Sequence, residues 1–116
     1  MFDYIFGFRK YALSPEANVK AFITLGSPIP IFVSAMGHVE SDLTLPSNVK
    51  TWYNLFDNDD GIARRCKPFF PKIPLQDINV RTGIFPISAH TKYWNNKNTA
   101  NRIAKIISKT GEQGQA

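Results

Sequence analysis

The sequence has one cysteine and no long apolar run, and each of these shortages excludes a class of protein. Because Cys66 has no second cysteine to pair with, the chain is not a secreted scaffold held by internal disulfides, and it is compatible with a reducing compartment. The longest apolar run, residues 28–37, is far shorter than the roughly 20 residues that a membrane helix needs. The first residues lack the basic segment of a secretory signal. We therefore expect a cytoplasmic protein without a membrane span.

The sequence does contain enough apolar and aromatic surface for one folded domain. Its 116 residues are 43% hydrophobic and 13% aromatic, which is too apolar for intrinsic disorder, and a chain of this length has room for a single core. We expect residues 1–110 to form that domain and residues 111–116, which begin with a glycine, to be a flexible tail.

Basic residues outnumber acidic residues by 14 to 9, which gives a net charge of +5. Such an excess favours a polyanionic partner only where the positive charges share one face. The largest group of basic residues that no acidic residue interrupts lies on a predicted C-terminal helix. It consists of Lys92, Lys97, Arg102, Lys105 and Lys109. Lysine and arginine are the ordinary way to solvate a helix, and neither a glycine-rich phosphate loop nor zinc-finger spacing is present. We therefore do not expect nucleic acid as a partner.

Apolar runs predict three short strands. The runs at residues 19–25 and 49–56 are rich in β-branched and aromatic residues and are stopped by turn residues, and they are expected to be buried on both faces. A third, shorter strand is predicted at residues 77–82. The first strand leads into Gly26-Ser27-Pro28 and the second into an acidic turn at residues 57–61.

Helices are predicted near both ends of the chain. Residues 2–13 have the periodicity of a buried helix, and residues 92–108 are expected to form a helix that Thr91 caps. The inner stripe of this last helix is expected to be Tyr93, Ala100, Ile103, Ala104 and Ile107. Three connecting segments complete the pattern, namely an irregular segment at residues 28–46, a proline-broken segment with a short helix at most at 62–76, and a loop at 83–90.

This order predicts an α/β fold of about three parallel strands flanked by helices. Parallel strands end at the same edge of a sheet, and open α/β proteins place their functional groups at that edge. The polar residues that follow the predicted strands are Gly26-Ser27, the turn at residues 57–60 and His90.

An acidic turn after one strand and a histidine after the next match the acid and base of a nucleophile-acid-histidine triad. A carboxylate bonded to one ring nitrogen of His90 fixes its tautomer and stabilises the imidazolium, so that the other nitrogen can take a proton from a serine hydroxyl. Asp57, Asp59 and Asp60 are all candidates for this acid. They can also simply cap and solvate the turn, as acidic residues commonly do.

Three blocks of sequence resemble lipase- and esterase-like α/β-hydrolases. Residues 22–28 (FITLGSP), 52–63 (WYNLFDNDDGIA) and 89–94 (AHTKYW) occur in the order of that family, whose pattern is a strand ending in Gly-Ser-Pro, a Trp-x-Asn strand ending in Asp-Pro-Val/Ile-Ala, and a Ser/Ala-His-x-x-Tyr-Trp loop. The resemblance implies a partial α/β-hydrolase fold, an ester substrate, no metal and no cofactor. It places Asp60 at the acid position, with Gly61 in place of proline, and His90 at the base position. Asp57 and Asp59 remain alternatives for the acid.

The sequence departs from this family at the nucleophile. No Gly-x-Ser-x-Gly elbow is present, and the resemblance places it just upstream of Met1. We therefore expect a C-terminal portion of the fold that is inactive alone and that is either marginally stable or associates with itself through an open sheet edge. The alternative is a binding module without enzymatic activity that reuses the half fold through its basic surface.

Other nucleophiles and ligands are weaker candidates. Ser27 is followed by Pro28, which has no N–H to donate to an oxyanion. Cys66 lies in a basic stretch, but it is more simply interpreted as a small buried or half-exposed thiol. His38, with Glu40 and Asp42 nearby, is more simply a solvated histidine than a metal ligand.

Overall fold

The structure is a computed structural model that describes residues 17–36, 45, 47–83 and 86–112. At its centre lies one parallel sheet of three strands in the order β1-β2-β3, with β1 at Phe22–Leu25, β2 at Trp52–Phe56 and β3 at Leu75–Asn79. The predicted parallel α/β arrangement is confirmed for this part of the chain. The helix predicted at residues 2–13 lies outside the described residues.

The central strand β2 determines where the core lies. All five of its residues are buried, as its apolar pattern predicts for a strand covered on both faces. The ring of Trp52 lies 5.6 Å from that of Phe22 and 5.1 Å from that of Phe70, measured between centroids. Tyr53 and Leu55 belong to a second cluster, because successive side chains of a strand point to opposite faces. The core therefore has one half on each face of the sheet.

Three helices flank the sheet in the described residues: α1 at Ile29–Met36, α2 at Pro86–Thr91 and α3 at Lys97–Glu112. Val33 of α1 packs in the cluster around Trp52, whereas Ile106 of α3 packs in the opposite cluster. The two longer helices therefore cover opposite faces. None of the described helices is long and apolar enough to cross a membrane.

The prediction of an irregular segment at residues 28–46 is wrong for its first part, because α1 lies there. Pro28 and Pro30 suggested a loop, yet both lie at the start of the helix, where a missing backbone N–H costs no hydrogen bond. The hydroxyl of Ser34 donates to the carbonyl of Pro30 at 2.8 Å within this helix. Residues 37–44 and 46 lie outside the described part of the chain.

Two boundaries after β2 also differ from the prediction. The third strand begins at Leu75 rather than at residue 77, since Leu75 is buried and pairs in register with Trp52. The loop predicted at residues 83–90 contains α2, with His90 near its end. Pro86 begins this helix, because its fixed φ suits the first helical position. The proline-broken segment holds one 3₁₀ turn at Lys67–Phe69, as expected.

The last helix has a different start and a different buried face from those predicted. Its cap is Asn96 rather than Thr91, because Asn96 Oδ1 accepts the backbone N–H groups of Asn98 and Thr99 at 2.9 and 3.1 Å. A 3₁₀ turn at Tyr93–Asn95 precedes it, so a stripe counted from Tyr93 has the wrong phase. Of the predicted stripe, Tyr93 and Ile103 do pack in the core, whereas Ala100, Ala104 and Ile107 are exposed. Thr99 and Ile106 are the buried residues of the helix. The helix also continues through Gly111 to Glu112.

Candidate active site

A hydrogen bond joins the carboxylate of Asp60 to the ring of His90. Asp60 Oδ2 lies 2.9 Å from His90 Nδ1, although the residues are 30 positions apart. Asp60 follows β2 and His90 lies on the helix after β3, so neighbouring parallel strands bring both to one rim of the sheet. The side chain of Asp60 is fully buried, whereas that of His90 is 36% exposed. The histidine therefore has one nitrogen on a buried carboxylate and part of its ring open to solvent.

Four hydrogen bonds hold the Asp60 carboxylate. Oδ1 accepts the backbone N–H groups of Ile62 and Ala63 at 2.8 and 3.1 Å, and Oδ2 accepts from Tyr93 and His90 at 2.9 Å each. Burial by itself raises the pKa of Asp60, but these hydrogen bonds outweigh it and hold the pKa below its usual value. An ionised carboxylate only accepts hydrogen bonds. The proton of the pair therefore lies on His90 Nδ1, and in the neutral ring Nε2 is an acceptor.

Tyr93 connects Asp60 to the start of the acidic turn. Its hydroxyl donates to Asp60 Oδ2 at 2.9 Å and accepts the backbone N–H of Asp57 at 2.9 Å. The tyrosine is 2% exposed and packs in the core cluster of Leu55 and Ile106. Burial and then the hydrogen bond to Asp60 raise the pKa of Tyr93, so the hydroxyl keeps its proton. The sequence pattern predicted Tyr93 only as part of the buried stripe of a helix, and this hydrogen-bonding role was missed. The available signal was the position of Tyr93 in the AHTKYW block, three residues after His90.

Asp57 joins two segments of the rim. Its Oδ2 accepts hydrogen bonds from the backbone N–H and the hydroxyl of Thr82 and from the N–H of Gly83, while Oδ1 accepts the N–H of Asp59 at 2.9 Å. Burial raises the pKa of Asp57, but these hydrogen bonds outweigh it and the pKa lies below its usual value. Asp57 thus fixes the turn after β2 against the segment that leads to α2 and His90.

The structure brings one of the three candidate aspartates to His90. Asp57 is buried against Thr82 and Gly83, and Asp59 is exposed on the turn. Asp60 alone among them has a hydrogen bond to the histidine ring in the described residues. The geometry therefore selects Asp60 as the partner of His90.

A buried polar network behind the turn was not predicted. Asn54 is fully buried in β2 and donates from Nδ2 to the carbonyl of Arg64 at 3.0 Å and to Asp77 Oδ1 at 2.8 Å. Its Oδ1 accepts the hydroxyl of Thr24 at 2.9 Å. Asp77 Oδ1 also accepts the backbone N–H of Cys66 at 2.8 Å. The network ties the segment after the acidic turn to all three strands. Its sequence signal is a lone asparagine within a buried apolar run.

The exit of β1 is shaped by Tyr93. Gly26 has a φ of 59°, and a Cβ atom built there would lie 2.6 Å from Tyr93 Cε2. Ser27 is buried, and its hydroxyl oxygen accepts the backbone N–H of Ile29 at 3.3 Å. The hydroxyl of Ser27 therefore closes the turn that leads into α1.

A cavity of about 940 Å³ borders the acidic turn. Its walls include Ile31 of α1, Phe56 of β2 and Asp59, and the guanidinium carbon of Arg65 lies 5.5 Å from the centroid of the Phe56 ring. His90 is not among the side chains that line this cavity. Asp60 does line the cavity, so the cavity borders the residue that is hydrogen-bonded to His90.

The remaining candidates do not add a reactive group. Cys66 is fully buried, and burial followed by the charge of Asp77 raises the pKa of its thiol, so it is not a reactive thiolate. The possible ligands at residues 38–42 lie outside the described residues. Within the described ranges, no three His, Cys, Asp or Glu side chains are grouped so that they could hold a metal ion.

Comparison with known proteins finds no relative. No family model matches the sequence, no curated protein matches it, and no solved structure matches the fold. Function is therefore inferred from the geometry of the described residues and from the three blocks that resemble α/β-hydrolases.

Proposed function

We propose that this chain is part of a lipase- or esterase-like serine hydrolase and supplies the acid and the base of its Ser-His-Asp triad, on a partial α/β-hydrolase fold. Asp60 is the acid and His90 is the base. The observation that carries the proposal is the 2.9 Å contact between Asp60 Oδ2 and His90 Nδ1, in which the acid is buried and the base is partly exposed. A triad needs this combination, because the acid must stay ionised while the base must reach the substrate.

The proposed reaction is acyl transfer. His90 Nε2 takes the proton of a serine hydroxyl while the serine oxygen bonds to the carbonyl carbon of an ester. Asp60 stabilises the imidazolium that forms, and the low pKa of this carboxyl group keeps the proton on the histidine. His90 then gives the proton to the leaving alcohol as the ester C–O bond breaks. Water attacks the acyl-serine in the same way, and it releases the carboxylic acid and restores the serine.

Other contacts already hold together the segments that carry Asp60 and His90. Asp57 already connects the turn after β2 to the segment after β3, and Tyr93 already connects Asp60 to that turn. The hydrogen bond from Asp60 to His90 joins segments that these contacts already hold together. Groups with a perturbed pKa cluster at functional sites, and the lowered pKa of Asp60 together with its partly exposed partner His90 fits such a site.

The proposed nucleophile comes from outside these 116 residues. The sequence contains no Gly-x-Ser-x-Gly motif, and the hydroxyl of Ser27 faces the N–H of Ile29 in a turn followed by proline. In the described sheet, β1 is an edge strand that pairs with β2 alone. A strand that carries the nucleophile can extend the sheet along β1, and without it the same edge favours self-association.

Hydrolysis of short-chain and long-chain nitrophenyl esters tests the proposal. The 116-residue chain is expected to show no turnover above that of its His90→Ala variant. The gene is then read upstream of the Met1 codon for a Gly-x-Ser-x-Gly motif, and the protein joined to that segment is expected to hydrolyse the esters and to lose this activity on His90→Ala. An upstream sequence without the motif, or turnover that His90→Ala leaves unchanged, contradicts the proposal.

A basic depression favours a second candidate, the binding of a polyanion by a module without enzymatic activity. The depression has a volume of about 320 Å³ and is lined by Arg81, Arg102 and Lys105 with three asparagines. Among the described residues no carboxylate lies within 4.0 Å of these cations. Guanidinium groups bind phosphate oxygens through paired hydrogen bonds, so phosphate groups suit this surface.

The second candidate function is tested by measuring the affinity of the chain for inorganic polyphosphate at several salt concentrations. Changing Arg81, Arg102 and Lys105 together to glutamine is expected to abolish a salt-sensitive binding signal. The matched control changes Lys20, Lys50 and Lys72 to glutamine, which removes the same charge from exposed positions elsewhere. Equal losses in the two variants mean that net charge alone attracts the polyanion, and they contradict a defined site.

A further inference from the structure

Tyr93 lies where the three segments of the rim meet, although it has no place in the triad. Its hydroxyl contacts the turn at Asp57 and the acid at Asp60, and its ring fills the space beside Gly26. Tyr93 also lies three residues after His90 in the sequence. The side chain of Tyr93 therefore contacts both the end of β1 and the acid, and it belongs to the segment that carries the base.

The direction of the Tyr93 hydroxyl is forced by its neighbours. The oxygen accepts the backbone N–H of Asp57, and the single proton is donated to Asp60 Oδ2. Rotation of the Asp60 carboxylate is opposed, because Oδ1 accepts the backbone N–H groups of Ile62 and Ala63. Oδ2 is thus held at a fixed place with two donors, the Tyr93 hydroxyl and His90 Nδ1.

We propose that Tyr93 is a positioning residue that fixes the Asp60 carboxylate toward His90 and sets the strength of the Asp60–His90 hydrogen bond by sharing the same oxygen. Two donors on one oxygen compete for its electron density, so each hydrogen bond is weaker than it is alone. The proton therefore stays on His90 Nδ1 and does not move to the acid. The inference rests on the proposed function only in taking Asp60 and His90 as the acid and base.

Among the residues that the structure describes, no other charged side chain is hydrogen-bonded to Asp60 Oδ2. Arg64 Nη1 donates to the backbone carbonyl of Asp60 at 2.7 Å, and the carboxylate of Asp57 is bonded to Thr82, Gly83 and the N–H of Asp59. A change at the Tyr93 hydroxyl is therefore expected to act on Asp60 directly.

Nuclear magnetic resonance of the 116-residue chain tests the proposal through the His90 Nδ1–H proton and the Asp60 carboxyl carbon. Tyr93→Phe removes one donor, so the Nδ1–H proton is expected to move downfield and the pKa of Asp60 to rise by about 0.5 to 1 unit. Replacing Tyr93 by 3-fluorotyrosine keeps the hydroxyl and makes it a stronger donor, so both signals are expected to move the opposite way. The control is Tyr53→Phe, at the other tyrosine of the same core cluster, which is expected to move neither signal.

Opposite shifts in the two Tyr93 variants support the proposal. Shifts of the same sign, or no shift in either, make Tyr93 a packing residue and overturn it. The fluorotyrosine protein retains the contacts of the native ring. If Tyr93→Phe does not fold, comparison of the two signals in the fluorotyrosine protein and in the native protein is sufficient to test the proposal. These signals report a hydrogen bond rather than turnover. Failure of the proposed function would instead appear as ester hydrolysis that is insensitive to His90→Ala, so the two failures are distinguishable.

Discussion

The ring of Tyr93 occupies the space into which a side chain at Gly26 would project. A Cβ atom at Gly26 would lie 2.6 Å from Tyr93 Cε2, and the backbone there has a φ of 59°. Glycine is required by the backbone and by the contact together. Because the Tyr93 hydroxyl also donates a hydrogen bond to Asp60, the same side chain contacts both the end of β1 and the proposed acid.

Gly26→Ala is therefore expected to destabilise the protein by about 2 to 4 kcal/mol, since it combines an unfavourable φ with a steric overlap in the core. Urea unfolding measures this difference. Gly111→Ala is the matched control, because a Cβ there meets nothing within 4 Å and alanine is preferred in a helix. The control is expected to stabilise by at most about 1 kcal/mol. Equal unfolding midpoints for the two variants would show that Tyr93 does not need the space at Gly26.

Asp57→Asn is expected to reduce stability at neutral pH and to do so less in acid. The pKa of Asp57 is lowered in the folded state, so this carboxylate stabilises the fold above the ordinary pKa of 3.8 and that contribution is lost as the pH falls through the folded value. The free energy of unfolding of Asp57→Asn should therefore differ most from wild type near pH 7 and approach it below about pH 4. Chemical denaturation at several pH values measures both curves. A difference that is constant with pH would contradict the assigned role of the charge.

Thr99→Val is expected to stabilise the protein by about 1 kcal/mol. The Thr99 hydroxyl is buried and has no hydrogen-bond partner in the described part of the chain, so a methyl group of similar shape removes a desolvated polar atom. Thr82→Val provides the contrast, because the buried Thr82 hydroxyl shares its single proton between Asp57 Oδ2 at 3.0 Å and the carbonyl of Ala89 at 2.6 Å. It is expected to destabilise by about 1 to 3 kcal/mol. Thermal unfolding that ranks the two variants in the reverse order would refute this assignment.

The features predicted well from sequence were those with a local cause. The buried strand β2 follows from an unbroken run of apolar and aromatic residues, and the acidic turn follows from the Asp and Asn residues after it. The parallel sheet then brings Asp60 and His90 to one rim, so their proximity followed from strand order. Which of the three aspartates meets His90 was left open by spacing and was settled by the hydrogen bonds around Asp60.

The features missed were those set by tertiary contacts or by small phase changes. Prolines concealed α1 because Pro30 is harmful inside a helix and harmless in its first turn. The 3₁₀ turn at Tyr93–Asn95 shifted the phase of α3, which turned Ile106 inward and left Ile107 62% exposed. The roles of Asn54 and Tyr93 depend on partners far apart in sequence, and no periodicity signals such partners.

The proposed role of Asp60 and His90 is tested most directly by kcat/KM for a nitrophenyl ester, measured on this chain joined to the proposed nucleophile segment, with Asp60→Asn compared to Asp59→Asn. Both variants remove one carboxylate from the same turn, but only Asp60 contacts His90 among the residues described. Asp60→Asn is expected to lower kcat/KM by about 10³-fold or more, because the wrong tautomer of the histidine is then favoured, whereas Asp59→Asn stays near wild type. Wild-type kcat/KM in Asp60→Asn, or an equal loss in Asp59→Asn, would contradict the assignment of Asp60 as the acid of the triad.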